Sequence, residues 1–580
     1  MRLFWIRIPQ PFEAALGQCR KHFLLVAFFS ALINLLYLAP TIYMMQVYDR
    51  VVPTGGVITL YVLTLLVGAA IAILSALDAV RSRLMLRASI RLDRLLSAAV
   101  MARALAPPDE RPSAQALRDF DSVRSALSGP GITAMFDAPW APLYLLVAFL
   151  IHPLLGLMVL LGAGLLIMLA ILNERANRLS GSQAHSAQAK AYAEQDATFR
   201  GAEVVRALGM GTALIARHSE QRRSGLVAAF DVQLTSGRFT ALVKFVRMFM
   251  QSLALGVGAW LAINNQISVG AIIAASVLLS RALQPVEQMV GSWPALSQAH
   301  QSLASLDRLF ATTGSNEEHR LALPEPTGNL QIAGISVFAA NGEVPILRNV
   351  SFGLKPGTLT GVVGPSGAGK TTLARAAAGC IIPDTGELRM DGARYADWHP
   401  ERLARYIGYL PQQPTLLPGT VADNISRFSR PSCGTDQEVV DHDIVHAAQM
   451  AGVHDTILRL PAGYQTRIGD GAEVLSAGQA QRIALARALF GSPKVLILDE
   501  PNSALDAEGE SALGRAVKAA CLQGAAVMMI AHRAQILAAA ENLVVMNAGT
   551  VVKHGPRADV LDELARDAAR SNVVPLTERA

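Results

Sequence analysis

The sequence predicts an all-α transmembrane domain of six helices followed by an α/β P-loop domain, and three observations carry that prediction. The chain has 580 residues, of which 52% are hydrophobic and only 17% charged. Its mean hydropathy of +0.34 is too apolar for an ordinary soluble protein of this size. In the first half the apolar residues gather into stretches of about 20, the length that crosses about 30 Å of hydrocarbon. In the second half short strands alternate with helices, the βα pattern of an α/β domain. That half carries Gly364-Pro365-Ser366-Gly367-Ala368-Gly369-Lys370-Thr371 between the apolar run 359–363 and a predicted helix over 372–378.

Membrane spans are expected at residues 23–47, 57–80, 133–151, 154–172, 245–263 and 269–283. Only His152-Pro153 separates the third from the fourth, and only Asn264-Asn265-Gln266 the fifth from the sixth, so both pairs are antiparallel hairpins. The intervening segments 81–131 and 173–240 are long, helix-forming and rich in arginine (Arg81, Arg83, Arg87, Arg91, Arg94; Arg175, Arg178, Arg200, Arg206). The positive-inside bias places them, and both termini, in the cytoplasm. Arg2, Arg7, Arg20 and Lys21 precede an apolar run too long for a signal core and without a cleavage site, which reads as a first membrane helix. Asn34 is expected to make an interhelical hydrogen bond. Asp78, Lys244 and Glu287 are accounted for by solvation or snorkelling at cytoplasmic ends, and Pro285 is expected to kink or end the last span. No substrate site is assigned in the spans.

The expected domains are a short cytoplasmic N-terminus (1–22), the membrane domain with its cytoplasmic helical extensions (23–310), a linker (311–329) and the α/β domain (330–580). Thr313-Gly314-Ser315-Asn316 and Pro324-Glu325-Pro326 punctuate the linker. A net charge of +6 is explained by basic residues at helix ends and needs no nucleic acid. Cys19, Cys380, Cys433 and Cys521 lie far apart, without metal-ligand spacing, and read as reduced thiols.

The glycines of the 364–371 loop let backbone N–H groups converge on a β-phosphate at the positive end of the following helix, which makes the second domain nucleotide-binding. Lys370 is placed to neutralise β- and γ-phosphates, the Thr371 hydroxyl to ligate Mg²⁺, and Thr372 lies beside them in the helix's first turn. Val495-Leu496-Ile497-Leu498-Asp499-Glu500 is an apolar strand ending in two carboxylates. Asp499 suits the Mg²⁺ side of a P-loop ATPase, and Glu500 the polarisation of an attacking water. Between the two motifs stands Leu475-Ser476-Ala477-Gly478-Gln479, followed by Gln481-Arg482-Ile483-Ala484-Leu485-Ala486-Arg487-Ala488-Leu489.

With that signature in place, the chain resembles an ATP-binding-cassette exporter over nearly its full length. Ala477 departs from the glycine usual in the family. The resemblance implies that Ser476, Gly478 and Gln479 meet ATP, and that Gln412, in Tyr409-Leu410-Pro411-Gln412, touches Mg²⁺ and senses the membrane helices. It also implies that Asp506 is the D-loop acid and that His532 contacts the γ-phosphate and orients Glu500. The usual adenine-stacking tyrosine is missing, and Phe338 is the only nearby aromatic. In the family ATP is sandwiched between the 364–371 loop, Walker A, of one copy and the signature of another, which implies a homodimer. Three phrases are similar to those of type I secretion ATPases: Met44-Met45-Gln46-Val47-Tyr48-Asp49-Arg50-Val51-Val52-Pro53, Phe136-Asp137-Ala138-Pro139-Trp140-Ala141-Pro142-Leu143-Tyr144, and Arg281-Ala282-Leu283-Gln284-Pro285-Val286-Glu287-Gln288. Asp499-Glu500-Pro501-Asn502 with Ala477 is most like the branch that exports proteases and lipases. With about 22 residues before span one, no N-terminal peptidase domain is expected. The resemblance then implies a protein cargo with an uncleaved C-terminal signal, a periplasmic membrane-fusion adaptor, an outer-membrane channel and the inner membrane as location. A lipid or small-molecule exporter, and a membrane-anchored regulatory ATPase, remain alternatives on the same scaffold.

Overall fold

A computed structural model describes residues 2–3, 6–7, 10–105, 115–311, 323–339, 344–429, 435–469, 475–531 and 538–571. The chain divides into two compact units, one holding the helices up to Ala311 and the other the strands and helices from Leu323 on. The first unit is built from α1 (Gln10–Gln18), α2 (Arg20–Leu36), α3 (Leu38–Gln46), α4 (Val57–Leu105), α5 (Gln115–Leu127), α6 (Pro130–Asp137) and α7 (Ala141–Ile151). It continues with α8 (Pro153–Arg200), α9 (Gly211–Ile263), α10 (Val269–Gly291) and α11 (Trp293–Ala311). Among the described residues six helical stretches are long and apolar enough to cross a membrane. They include each of the six expected stretches.

Three of these helices far exceed a bilayer. With 49 residues, α4 is roughly 74 Å long at about 1.5 Å per residue, and α8 and α9 have 48 and 53 residues. The pattern along α4 changes where lipid would end. Its first half is apolar and exposed, whereas beyond Val80 the buried apolar residues are Met85, Ala88, Leu92, Leu96 and Val100, at the 3–4-residue spacing of one helix face, with Arg81 and Ser89 buried beside them. Leu92, Leu96 and Val100 pack with Phe12 of α1, Phe120 of α5 and Leu303 and Leu306 of α11. The Phe12 ring meets Phe120 and Phe310 edge-on, with centroids 6.1 and 6.0 Å away. The segment before span one is therefore a docked helix rather than a bare tail.

Polar groups join the spans. Asn34 Nδ2 donates to Asp137 Oδ1 at 2.9 Å, and the Tyr144 hydroxyl donates to Asn34 Oδ1 at 2.9 Å, so Asn34 makes the expected interhelical bonds. Arg81, 7% exposed, pairs with Asp137 at 2.8 Å and with Asp78 at 2.6 Å. Glu287 pairs with Arg247 at 2.7 Å. Asp78 and Glu287 are thus ion-paired rather than merely solvated. Pro285 does not end the last span, because α10 continues to Gly291. Around it α10 packs against α3 and α6 to α9, the setting in which a membrane helix tolerates an internal proline. At the other end of α10, the Asp49 carboxylate accepts from Ser268 Oγ at 2.5 Å and from Gly270 N at 2.7 Å. A methyl group at Gly270 would sit 2.6 Å from the Met45 carbonyl, so only glycine allows that approach.

The second unit begins with β1 (Leu330–Phe338), β2 (Pro345–Leu354), β3 (Leu359–Val363), α12 (Lys370–Ala377), β4 (Thr385–Met390) and β5 (Ile407–Leu410). Further elements are α13 (Ala477–Leu489), β6 (Val495–Asp499), α14 (Ala507–Leu522), β7 (Ala526–Ile530), β8 (Asn542–Asn547) and β9 (Thr550–Pro556). One sheet has the order β9-β8-β3-β7-β6-β5 and is parallel except for edge strand β9. A second, antiparallel sheet contains β2, β1 and β4 in that order. All five residues of β6 and of β7 are buried. Alternate residues serve opposite faces: Leu496 and Leu498 join one core cluster, Val495 and Ile497 the other. A parallel sheet covered on both sides requires such unbroken apolar strands.

Candidate active site

Parallel strands bring their C-terminal ends to one edge, and the registers place the motifs there together. Val362 of β3 is opposite Ile530 of β7, Ile530 is opposite Asp499 of β6, and Leu498 is opposite Leu410 of β5. The 364–369 loop, Asp499-Glu500, Ala531 and Pro411-Gln412 therefore leave the sheet side by side, where α/β folds bind ligands. His532 follows Ala531 but lies outside the described residues.

The loop from Gly364 to Gly369 curls tightly into α12. A Cβ on Gly364 would lie 2.3 Å from the Met546 carbonyl. Gly369 has φ +90°, and a Cβ there would lie 2.9 Å from Leu347 Cδ2 and 3.0 Å from the Ile346 carbonyl. Pro365, Ser366 and Gly367 form the exposed rim of the loop, while Ala368 is packed beneath it. Lys370 is 6% exposed, and its Nζ donates to the carbonyls of Gly364 at 2.8 Å and Pro365 at 3.0 Å. The ammonium is thus folded back over its own loop. Thr371 is exposed and Thr372 half-buried in the first turn of α12. Bare backbone at a helix start with a lysine across it is a cradle of the shape and charge that a triphosphate needs.

Across the edge, Asp499 is fully buried at the end of β6. Glu500 breaks the strand with φ +49°, a left-handed conformation costly for a residue with a side chain. Its N–H donates to the Ile530 carbonyl at 3.1 Å. Gln412 Nε2 donates to Glu500 Oε2 at 2.9 Å, so the residue after β5 holds the second carboxylate directly. One oxygen-bearing side chain each from Thr371, Gln412 and Asp499 suits a hard divalent cation that keeps water and phosphate among its ligands.

The signature lies at the start of α13. Ser476 caps that helix, accepting from Gln479 N at 3.2 Å, while Gln479 Oε1 accepts from Ser476 N at 2.9 Å, a complete capping box. Gly478 passes so near the turn after β6 that a Cβ there would lie 2.9 Å from the Ala504 carbonyl. Ala477, where the family has glycine, is the first residue of α13 and is accepted there without interrupting it. Asp506 caps α14, accepting from Gly509 N at 2.8 Å. Within one chain the signature and the D-loop acid act as helix caps. Gln481 was given no role from sequence. It is 1% exposed and bonds to the backbone between Pro501 and Ala504. Its signal was an amide on the stripe 481, 484, 485, 488, where every other residue is apolar and buried.

Comparison with known proteins matches this architecture. The family model "ABC transporter" matches residues 347–503, and "ABC transporter transmembrane region" matches residues 23–286. The chain is 40% identical over 560 residues to the type I secretion system ATP-binding protein PrsD of Rhizobium meliloti, covering 95% of this chain and 94% of that one. It is 28% identical to the alpha-hemolysin translocation ATP-binding protein HlyB of Escherichia coli, over 95% of this chain and 78% of the relative. A solved bacterial Atm1-family ABC exporter with ATP bound superposes with a TM-score of 0.81 at 21% identity, covering 96% of this chain and 99% of that one, a likeness of fold. The chain is a multi-pass, ATP-binding and ATP-hydrolysing transporter subunit, and it belongs to the type I secretion ATP-binding proteins of the ABC transporter family.

Proposed function

We propose that this chain powers export of a protein bearing an uncleaved C-terminal signal across the inner membrane, as the ABC component of a type I secretion system. The observation that carries this reading is the end-to-end identity of 40% with PrsD, which runs through spans and cassette alike. In this reading both termini are cytoplasmic, two copies form a homodimer, and a periplasmic adaptor and an outer-membrane channel complete the path.

The residues divide the work of hydrolysis as follows. Backbone N–H groups of Gly364 to Lys370 hold the phosphates, with Ser366, Thr371 and Thr372 at the rim, and Lys370 swings from its loop carbonyls to the phosphates. Phe338, at the end of β1 and 38% exposed, offers the adenine a face. Thr371, Gln412 and Asp499 would hold Mg²⁺. Bound by these residues, Mg²⁺ would supply positive charge against the charge developing on the phosphates. Glu500, with His532, orients the attacking water and accepts its proton. Ser476, Gly478 and Gln479 close the site from the partner copy, with Asp506 at the junction, and the helices that extend past the bilayer pass closure to the spans.

The test is secretion of a reporter carrying a candidate C-terminal signal, in cells with this chain, its adaptor and its outer channel. Reporter in the medium with the wild type but not with Glu500→Gln is the expected result. Intact ATPase activity with no export across a panel of signals would overturn the protein cargo and favour a lipid or small molecule.

A further inference from the structure

We propose that Gln481 is a positioning residue for ATP hydrolysis: it holds the Glu500 turn in its left-handed geometry and ties that turn to the signature helix. Its Nε2 donates to the Pro501 carbonyl at 2.6 Å and lies 3.4 Å from the Glu500 carbonyl and 3.3 Å from Ser503 Oγ. Its Oε1 accepts from Ala504 N at 3.0 Å. One amide thus gathers the backbone from Glu500 to Ala504, the segment that must stay folded for Glu500 to keep φ +49°. Gly478, one turn earlier on the same helix, rests against the Ala504 carbonyl, so helix and turn touch at two successive levels. The Ser476 cap belongs to that same first turn. A displacement of the signature is therefore transmitted through Gln481 to the carboxylate of the same chain. Resting on the homodimer of the proposed function, this means that closure of the signature on the partner's nucleotide sets Glu500 at the chain's own nucleotide. Gln481 is then the link between the two sites.

A buried amide that only stabilised the fold would lower melting temperature and apparent ATP affinity together with turnover. A positioning role separates them. In the full-length protein reconstituted in lipid, Gln481→Met keeps the side chain's shape and removes its bonds. Its kcat is expected to fall about tenfold or more, with KM for ATP within about twofold and reduced cooperativity in ATP. Gln481→Glu gives a second, sharper reading. An ionised carboxylate cannot donate to the Pro501 carbonyl, whereas a protonated one donates there and still accepts from Ala504 N. Its turnover relative to wild type is expected to rise as pH falls from about 9 to about 6. If Gln481→Met does not fold, Gln481→Glu carries the test alone. A wild-type kcat in Gln481→Met, or a Gln481→Glu pH profile parallel to wild type, would overturn the proposal. Glu500→Gln, assayed alongside, separates the two levels: its turnover remaining near normal removes Glu500 from catalysis, while arrest of Glu500→Gln with an unaffected Gln481→Met removes only the positioning role.

Discussion

At the scale of single residues, close approach and hydrogen-bond satisfaction decide what each position tolerates. Gly364 and Gly367 belong to one loop but face different neighbours. A Cβ on Gly364 meets the Met546 carbonyl at 2.3 Å, whereas one on Gly367, at φ +80°, meets nothing within 4 Å and incurs only backbone strain. Gly364→Ala is expected to weaken ATP binding tenfold or more, and Gly367→Ala by roughly threefold. Titration with a fluorescent ATP analogue checks the contrast, and equal losses would show that the close approach does not matter. Asp391 makes a prediction in pH. Burial opposes its charge, but Thr327 Oγ1 and the N–H groups of Thr327, Asn329 and Gly328 donate to it and hold its pKa below the usual range. Because the folded-state value is depressed, the carboxylate stabilises the fold fully above its unfolded pKa of about 3.9, and that contribution fades as pH falls through the folded value. Asp391→Asn is therefore expected to melt below wild type at neutral pH, with the gap narrowing under pH 4. A gap that stays constant with pH would mean that shape, not charge, is what the clamp uses.

At the scale of elements, residues of the three phrases that resemble type I secretion ATPases make joints between the spans. Asp137 meets Arg81, Asn34 and Ser30, joining spans one to three. Asp49 caps the last span, and the Arg281 guanidinium lies 3.8 Å over the Tyr37 ring. Their common feature is polar contact between helices that are otherwise apolar and featureless to one another. Breaking a buried pair from one side leaves an uncompensated charge, whereas removing both sides does not. Asp137→Leu alone is expected to destabilise the protein by about 3 kcal/mol, and Asp137→Leu combined with Arg81→Met by less. Thermal unfolding of the purified protein in detergent measures both. A double variant less stable than the single one would mean that Arg81 draws its stability from Asp78, at 2.6 Å, more than from Asp137.

At the scale of the whole molecule, the site is composite in the proposed dimer. The P-loop, Asp499, Glu500 and Gln412 assemble within one chain, while Ser476 caps its own helix and Gly478 lies against its own D-loop turn. Ser476→Arg is then expected to abolish turnover while leaving ATP binding to the chain's own Walker A nearly intact. Mixed with Lys370→Met, which lacks Walker A but keeps its signature, it is expected to recover measurable ATPase activity that neither variant has alone. Wild-type turnover by Ser476→Arg on its own would place a complete site within one chain.

The sequence alone determined what chain-local patterns encode. Six apolar stretches match bilayer thickness, a glycine-rich loop stands between strand and helix, and a carboxylate pair ends an apolar strand. Each is a short-range signal with few physical readings, and Asn34 was legible as an interhelical donor because an amide in hydrocarbon must find a partner. Tertiary structure decided what depends on distant segments meeting. Pro285 was expected to kink or end the span because its missing N–H is local information, but α10 runs on to Gly291 among the helices packed around it. Asp78 and Glu287 looked solvated because their partners' geometry is not written beside them. The left-handed Glu500 and the grip of Gln481 were invisible for the same reason: β6 must lie beside β7, and α13 over the turn after β6, before either constraint exists.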